Sequence, residues 1–170
     1  MKTKKIAVFG VLIALAFVLS YIESLIPIPV PIPGIKLGLA NLVVMTGLYL
    51  VGEKEAFVLS LVRILLVSFT FGSPSTFLFS FAGGVLSCLC MILLKRSNLF
   101  GMTGVSIAGG IAHNVGQILI AMLIVHNVMM VYYLPFLLIS GVLTGFAIGM
   151  VGSLIIGNLK KYHVMQGKGR

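Results

Sequence analysis

Six apolar runs separated by short breaks account for most of this sequence, and they limit the possible folds more than any other feature. The runs lie at about residues 6–26, 37–51, 56–71, 76–94, 104–125 and 131–159. A helix needs about 20 apolar residues to cross the hydrocarbon core of a bilayer. Because 59% of the residues are hydrophobic and only 9% are charged, the sequence predicts an all-α polytopic membrane protein. We expect six transmembrane helices in a single domain, residues 1–170.

The breaks between the runs carry residues that stop a helix. The first break is the proline-rich segment "PIPVPIPG", and each proline ring there removes a backbone donor and clashes with the preceding turn. The later breaks contain "GEKE", "GSPS" and "KRSN". In the "GSPS" turn, Ser73 or Ser75 is expected to cap the helix that follows.

The basic residues are distributed unevenly between the two ends of the predicted helices. The chain has 12 Lys and Arg against three acids, with a formal net charge of +9. Ten of the 12 fall on one side of the membrane: Lys2, Lys4, Lys5, Lys54, Lys95, Arg96, Lys160, Lys161, Lys168 and Arg170. Such a bias marks the cytoplasmic side of a membrane protein. We therefore predict that both termini are cytoplasmic, and we expect no nucleic-acid partner.

Glu23 and six further polar side chains in the apolar runs or at their outer edge need an explanation. The six are Lys36, Asn41, Arg63, His113, Asn114 and Gln117. The predicted topology places all of them in the middle or outer part of the membrane. Polar side chains in transmembrane helices usually face the bundle interior or a water-filled cavity, because lipid does not solvate them. We predict that these six residues line a ligand-binding cavity that opens to the outside.

Arg63 constrains this cavity most, because an arginine in the middle of a membrane is costly and does not lose its proton. Two interpretations fit the sequence. Arg63 either forms a buried pair with Glu23 or is capped by backbone carbonyls, or it binds an anionic ligand together with Lys36.

His113 and Gln117 are four residues apart and therefore share one face of a helix, with Asn114 beside them. Two interpretations are open here as well. These side chains either hydrogen-bond across helices and hold the bundle together, or they donate to and accept from a polar ligand.

The sequence offers no constellation that is typical of an enzyme. It contains no aspartate, only one histidine is predicted within the membrane, and no nucleophile lies near a base. Cys88 and Cys90 are two residues apart and point away from each other on a helix. We expect no catalytic residue, no metal site and no cofactor.

Small residues recur at four-residue spacing on several predicted helices. The last run carries Gly141, Gly145 and Gly149, and the first run carries Gly10 and Ala14. Small residues allow helix backbones to approach closely in lipid. The ridges either pack helices within this bundle or form a docking face for another membrane subunit.

Several segments together carry a resemblance to a known family. They are "PGIKLGLANLV" after the proline-rich break, "LVRILL", "FSFAGGVLSCLCM", "GGIAHNVGQ" and "YYLPFLLISGVLTG". The chain resembles the family called heptaprenyl diphosphate synthase component I, or Gx transporter family, from about residue 6 to residue 159. This family is grouped with the substrate-binding S components of energy-coupling factor (ECF) vitamin transporters.

The resemblance implies a six-helix protein in the bacterial cytoplasmic membrane that binds a vitamin-like, flavin-like or isoprenoid-diphosphate-like ligand from the outside. S components work with a transmembrane subunit and two cytoplasmic ATPases. They contact the transmembrane subunit through small residues of the first helix, which correspond here to Gly10 and Ala14. Membrane lipid is the remaining expected partner.

The family's other label suggests a different role. A prenyl diphosphate synthase holds magnesium on aspartate-rich motifs, and this chain has no aspartate. Any part in prenyl synthesis would therefore be that of a non-catalytic membrane partner of a polyprenyl diphosphate synthase. Relatives found with flavin- and quinone-linked extracellular electron transfer imply a third possible role.

Overall fold

A computed structural model describes residues 2–26 and 38–167, and every regular element in these ranges is helical. The helices are α1 (Lys2–Leu25), α2 (Leu39–Leu50), α3 (Glu53–Phe71), α4 (Pro74–Ser97), α5 (Met102–Val125) and α6 (Leu134–Gly167). A short 3-10 helix, Val128–Tyr133, precedes α6. The prediction of an all-α fold with six helices is confirmed.

The helices begin and end at residues with identifiable roles. The Ser73 hydroxyl accepts a hydrogen bond from the Thr76 backbone N–H at 3.2 Å, so Ser73 caps α4. Pro74 follows at the first helical position, where its missing N–H costs nothing. At the other end of α4, Asn98 adopts the left-handed conformation with φ 55° and ends the helix.

Four segments are long and apolar enough to cross a membrane: Lys5–Leu25, Pro74–Ser97, Met102–Val125 and Val128–Leu159. Helix α2 has 12 residues, a length of about 18 Å, which is less than the hydrocarbon core. The predicted second span begins at residue 37, which lies outside the described residues, since the description resumes at Gly38. The chain is therefore a multi-pass membrane protein in which α2 and the charged α3 are less typical spans.

Five of the helices form a closed ring. Each of α2, α3, α4 and α5 packs against the next helix in the chain, and α6 returns to pack against α2. Helix α1 lies outside this ring against α2 and α3. The arrangement leaves a space at the centre of the ring that side chains of several helices can reach.

Small residues allow the closest contacts in the ring. A Cβ added to Gly145 of α6 would lie 2.7 Å from the Cα of Ile107 in α5. On another side of α5, a Cβ at Gly116 would lie 2.8 Å from the carbonyl oxygen of Ala82 in α4. These ridges therefore pack helices within the bundle, as one of the two interpretations predicts. Gly10 has no neighbouring atom within 4 Å of its added Cβ.

Charged residues from three segments meet at one end of the bundle. Lys5 of α1 pairs with Glu55, and Arg96 of α4 donates to Glu53 from Nη2 at 2.6 Å. Lys95 donates from Nζ to the Leu48 carbonyl at 2.7 Å. The start of α1, the α2–α3 connection and the end of α4 thus share one end, which agrees with the charge distribution of the sequence.

The apolar core and the cavities occupy different halves of the bundle. The largest cluster of buried apolar residues includes Leu12, Leu48, Leu59, Met91 and Val105, and it lies toward the end that carries the ion pairs. The central cavity lies beside Arg63 and His113 in the middle of α3 and α5, and the two larger cavities extend toward the opposite end, along the last turns of α1, α3 and α5 and the first turns of α4 and α6. The packed half provides a rigid base for the half that contains the cavities.

Candidate functional site

A cavity of about 50 Å³ lies at the centre of the ring, and all six helices or their caps contribute to its lining. Its lining residues are Glu23, Gly38, Asn41, Arg63, Ser80, Gly110, His113, Asn114 and Thr144. Four of the six predicted site residues, Asn41, Arg63, His113 and Asn114, therefore lie together. They come from α2, α3 and α5, and only the closed ring brings α5 to the other two helices.

Arg63 lies in the middle of α3 and its guanidinium is only weakly bonded. Nη2 lies 3.5 Å from Oδ1 of Asn41, which is a long and weak hydrogen bond. Nε is buried and has no hydrogen-bond partner among the described residues. An arginine cation in such a position is normally paired, because an uncompensated buried charge is costly.

Glu23 lies close to Arg63, since both residues line the central cavity and its larger neighbour. The two side chains are nevertheless not an ion pair in the described part of the chain. Oε1 of Glu23 instead accepts a hydrogen bond from the Gly38 backbone N–H at 2.5 Å. The Glu23 carboxylate thus connects the end of α1 to the start of α2.

Gly38 occupies a position that only glycine fits well. Its φ is 75°, in the left-handed region, and an added Cβ would lie 2.9 Å from Cδ1 of Ile148. In this conformation, the backbone N–H of Gly38 donates its hydrogen bond to Glu23. This contact sets the entry of α2 into the ring, one turn before Asn41 reaches the cavity.

The polar face of α5 divides between two roles. Nδ2 of Asn114 donates to the Leu137 carbonyl of α6 at 2.5 Å, and the residue is buried. Asn114 therefore joins two helices, as the bundle-stabilising interpretation predicts, while it also lines the cavity. The His113 ring lies against α4, with its Cε1 3.1 Å from a Cβ added to Gly83.

Gln117 lies outside the central cavity. It lines a neighbouring apolar cavity one helical turn further along α5, and its Oε1 is buried without a partner among the described residues. Lys36 falls within residues 27–37, outside the described part of the chain. Its place in the site remains a prediction.

A second cavity of about 540 Å³ lies between α1, α3 and α4, and it shares Glu23, Arg63 and Ser80 with the central cavity. Hydroxyl groups line much of it: Ser20, Ser24, Ser68, Ser73, Thr76 and Ser80. The second cavity gives the central cavity and its arginine a polar approach from the end opposite the ion pairs.

An aromatic cluster borders this second cavity. The Phe71 ring lies 5.7 Å from the ring of Phe17 and 5.7 Å from that of Tyr21, measured between centroids. Such ring contacts stabilise the association of the two helices that carry them. They hold the outer half of α1 against the end of α3, next to the opening of the cavity.

The sequence did not indicate the serine and threonine residues of these cavities. Ser80 and Thr144 both line the central cavity, together with Glu23, which the sequence had already indicated as a possible partner of Arg63. Serine and threonine are common in transmembrane helices, where the hydroxyl often bonds to a carbonyl one turn earlier, as Thr144 does to Ser140 at 2.9 Å. Their presence in a helix therefore does not distinguish a cavity wall from an ordinary helix face.

A third cavity of about 370 Å³ has mainly apolar walls. It lies between α4, α5 and the segment that leads into α6, and its lining residues are Thr76, Phe79, Ser80, Gln117, Ile118, Ala121, Val125, Met130, Tyr133 and Leu137. Ser80 lines all three cavities. One turn of α4 is therefore the place at which the three spaces meet.

The predicted docking residues, Gly10 and Ala14, lie on the outer face of α1. Both are exposed, while Leu12 and Ala16 on the opposite face are buried. No atom of the described chain lies within 4 Å of a Cβ added to Gly10. Gly10 and Ala14, unlike Gly116 of α5 and Gly145 of α6, are therefore left open within the described part of the chain.

The donor groups of the described residues are not arranged as a metal centre. Within the residues that the structure describes, no group of three or more His, Cys, Asp or Glu side chains is close enough to hold an ion. Cys88 and Cys90 are both free thiols.

The closed helical ring and its polar central cavity define a membrane protein with the S-component fold. A solved structure described as the S component of a bacterial ECF transporter matches with a TM-score of 0.74, over 95% of this chain and 98% of that one, at 18% identity. The family model described as heptaprenyl diphosphate synthase component I matches residues 12–155. The chain therefore belongs to the heptaprenyl diphosphate synthase component I family. No curated protein matches it.

Proposed function

We propose that this chain is the ligand-binding component of an ECF-type transporter and takes up a small anionic or polar molecule from outside the cell. The observation that supports this most is the convergence of all six helices on one polar cavity that contains Arg63. A guanidinium whose Nε is buried and has no hydrogen-bond partner among the described residues presents a hydrogen-bond donor and a positive charge to an incoming anion.

The ligand would reach Arg63 through the hydroxyl-lined second cavity. Its volume of about 540 Å³ falls in the range of sites for small molecules, about 300–1,000 Å³. Asn41, His113 and Asn114 would add hydrogen bonds, and Lys36 is proposed to contribute a second positive charge. An approach lined with hydroxyl groups, with one buried cation, favours a phosphate or carboxylate group over a neutral apolar compound.

The partner subunits would bind at α1 and at the cytoplasmic end. Gly10 and Ala14 leave a shallow, small-residue surface on α1, which suits close packing of a helix from a transmembrane subunit. Transport would then depend on ATPases that bind that subunit. We assign the protein to the bacterial cytoplasmic membrane, with the end that carries Lys5, Lys95 and Arg96 inside.

The family description supports a second candidate, a non-catalytic membrane partner of a polyprenyl diphosphate synthase. In that case the catalytic magnesium would lie on the partner, because this chain contains no aspartate. A membrane partner of a flavin- or quinone-linked electron transfer chain would belong to the same class of function.

Affinity capture of the full chain from its native membrane separates the two candidates. Recovery of ECF ATPases and a transmembrane subunit is the expected result. Recovery of a polyprenyl synthase or a flavoprotein in their place would favour the second candidate.

Binding measurements test the cavity itself. With purified protein, Arg63→Ala and His113→Ala are expected to weaken binding of the co-purifying ligand, identified by mass spectrometry, by about tenfold or more. Variants that bind it like the wild type would show that the cavity is not the binding site. Variants that lose only thermal stability would show that these side chains stabilise the bundle.

A further inference from the structure

We propose that the ligand is amphipathic: its anionic or polar head lies at Arg63, and its apolar body occupies the third cavity between α4, α5 and the start of α6. This inference rests on the proposed function, since it names the ligand class of the same site.

The third cavity differs in chemistry from the two polar cavities. Apart from Thr76, Ser80 and Gln117, the side chains of its walls are aromatic or aliphatic or carry a thioether, with Tyr133 adding one hydroxyl. Its volume is about 370 Å³, which is large enough for part of a small molecule. Burying an apolar group among such walls is favourable, because it removes apolar surface from water.

The polar and apolar spaces meet at one turn of α4. Ser80 lines all three cavities, and Thr76 lines both the second and the third. Arg63 and Ser80 both line the central cavity, so a head group at Arg63 lies in a space that shares the wall at Ser80 with the apolar cavity. A molecule with a polar and an apolar part can therefore occupy both spaces at once.

Gln117 marks the boundary between the two environments. The residue is 7% exposed, and its Oε1 has no hydrogen-bond partner in the part of the chain that the structure describes. Its Cγ would lie 2.9 Å from a Cβ added to Gly83, which also approaches the carbonyl of His113 at 2.7 Å. Gln117 thus lies beside the polar cavity and faces the apolar one. A carboxamide there can hydrogen-bond the group that joins head and body.

The position of the cavity favours a ligand over a membrane lipid. The apolar cavity shares Ser80 with the cavity that contains a buried cation, whereas a lipid chain alone needs no such neighbour. A phospholipid also carries two long chains, and the third cavity is a single space of limited volume. The charge and the apolar walls together match one compact molecule with an acidic head.

Three compounds test the head and the body separately with the full-length protein in nanodiscs. Farnesyl diphosphate carries both parts, isopentenyl diphosphate has the same head with a short body, and farnesol has the body without the charge. We expect farnesyl diphosphate to bind at least about tenfold more tightly than either of the others by calorimetry. Equal or weaker binding of farnesyl diphosphate would overturn the proposal.

A substitution in the apolar cavity localises the effect. Ala121→Phe fills the third cavity, and Ala121→Leu fills it less in case the larger residue disturbs folding. Both are expected to remove the advantage of farnesyl diphosphate while the affinity for isopentenyl diphosphate stays within about twofold. Leu119→Phe, on an exposed face of α5, is the control and should change neither. If Ala121 variants that fold behave like this control, the proposal is wrong.

The substitution Arg63→Gln distinguishes failure of this inference from failure of the proposed function. If it weakens both diphosphates while the Ala121 variants have no effect, the polar site stands and the amphipathic ligand does not. If Arg63→Gln binds both diphosphates like the wild type, the anion site fails, and the proposal fails with it. Recovery of only phospholipid from the purified protein by mass spectrometry would also overturn the proposal.

Discussion

Glu23 accepts a hydrogen bond from the backbone N–H of Gly38 at 2.5 Å and does not form an ion pair with Arg63, although both side chains line the same two cavities. In the half of the described chain opposite the ion pairs, the Glu23 carboxylate therefore joins α1 to α2 and forms no ion pair with Arg63. This division of roles supports the proposal that Arg63 binds an anion.

Replacing Arg63 with methionine should have opposite effects on stability and on binding. Methionine fills a similar space without a buried charge, so the ligand-free protein should unfold at a temperature several degrees higher. Binding of an anionic ligand should fall by about tenfold or more, because its counter-charge is gone. Thermal unfolding and calorimetry measure the two effects. A variant that loses stability would instead show that Arg63 holds the bundle together.

The contact between α5 and α6 should tolerate no added methyl group at Gly145. Alanine there would place Cβ 2.7 Å from the Cα of Ile107, and such overpacking costs about 1–3 kcal/mol of unfolding free energy. Gly157 of the same helix is the matched control, because its added Cβ meets no atom within 4 Å. Gly157→Ala should be neutral or stabilise by up to about 1 kcal/mol. Equal effects of the two variants in denaturant titrations would contradict the observed packing.

Enlarging the small residues of α1 should affect assembly and leave the fold intact. Gly10→Leu combined with Ala14→Leu changes an exposed face that the described chain does not cover. We expect normal unfolding temperature and ligand affinity, with loss of co-purification with the transmembrane subunit. Val8→Leu, also exposed on α1 but on another side of the helix, should assemble normally. Undisturbed assembly of the double variant would show that the partner binds elsewhere.

Acid should weaken the ion pairs at the basic end of the bundle. The Arg96 guanidinium lowers the pKa of Glu53, and Lys5 lowers the pKa of Glu55. A carboxylate with a lowered folded-state pKa stabilises the fold above its unfolded pKa, and this stabilisation is lost as the pH falls through the folded value. Unfolding temperature should therefore decrease below about pH 4.3, the ordinary glutamate value. Both carboxylates are only partly buried, so solvent screens the pairs and the decrease should be small.

The variant Glu53→Gln is the control for this pH dependence. It should have a flatter profile between pH 7 and pH 3 than the wild type, since one of the two titrating pairs is absent. An unchanged profile would show that the Arg96–Glu53 contact contributes no measurable stability.

Sequence patterns predicted the helices well because hydropathy, turn residues and caps act locally. The end of α3 at Phe71, the Ser73 cap and the start of α4 at Pro74 all follow from the "GSPS" segment. The helices extend beyond the predicted spans, as in α4, which continues to Ser97. An apolar run marks the part of a helix that lies within the hydrocarbon core of the membrane. Backbone hydrogen bonding can continue the same helix into the polar region beyond that core.

The candidate site could be predicted in part. Charged and amide side chains such as Arg63 and Asn114 stand out in an apolar run because lipid disfavours them. The contribution of Ser80 could not be predicted, since a serine hydroxyl in a helix can satisfy itself on its own backbone. The sequence also could not predict that Gln117 lines a separate apolar cavity, because this depends on which helices face that side of α5.

The sequence by itself determined that this is a helical membrane protein, which end carries the positive charge, and which residues are too polar for lipid. These properties follow from individual side chains and their near neighbours along the chain. Only the tertiary structure decided that Asn41, Arg63 and His113 converge on one cavity and that Gly145 packs inward while Gly10 remains open. Such relationships depend on how five helices close into a ring, because the neighbours of each helix face are chosen by packing between segments far apart in sequence.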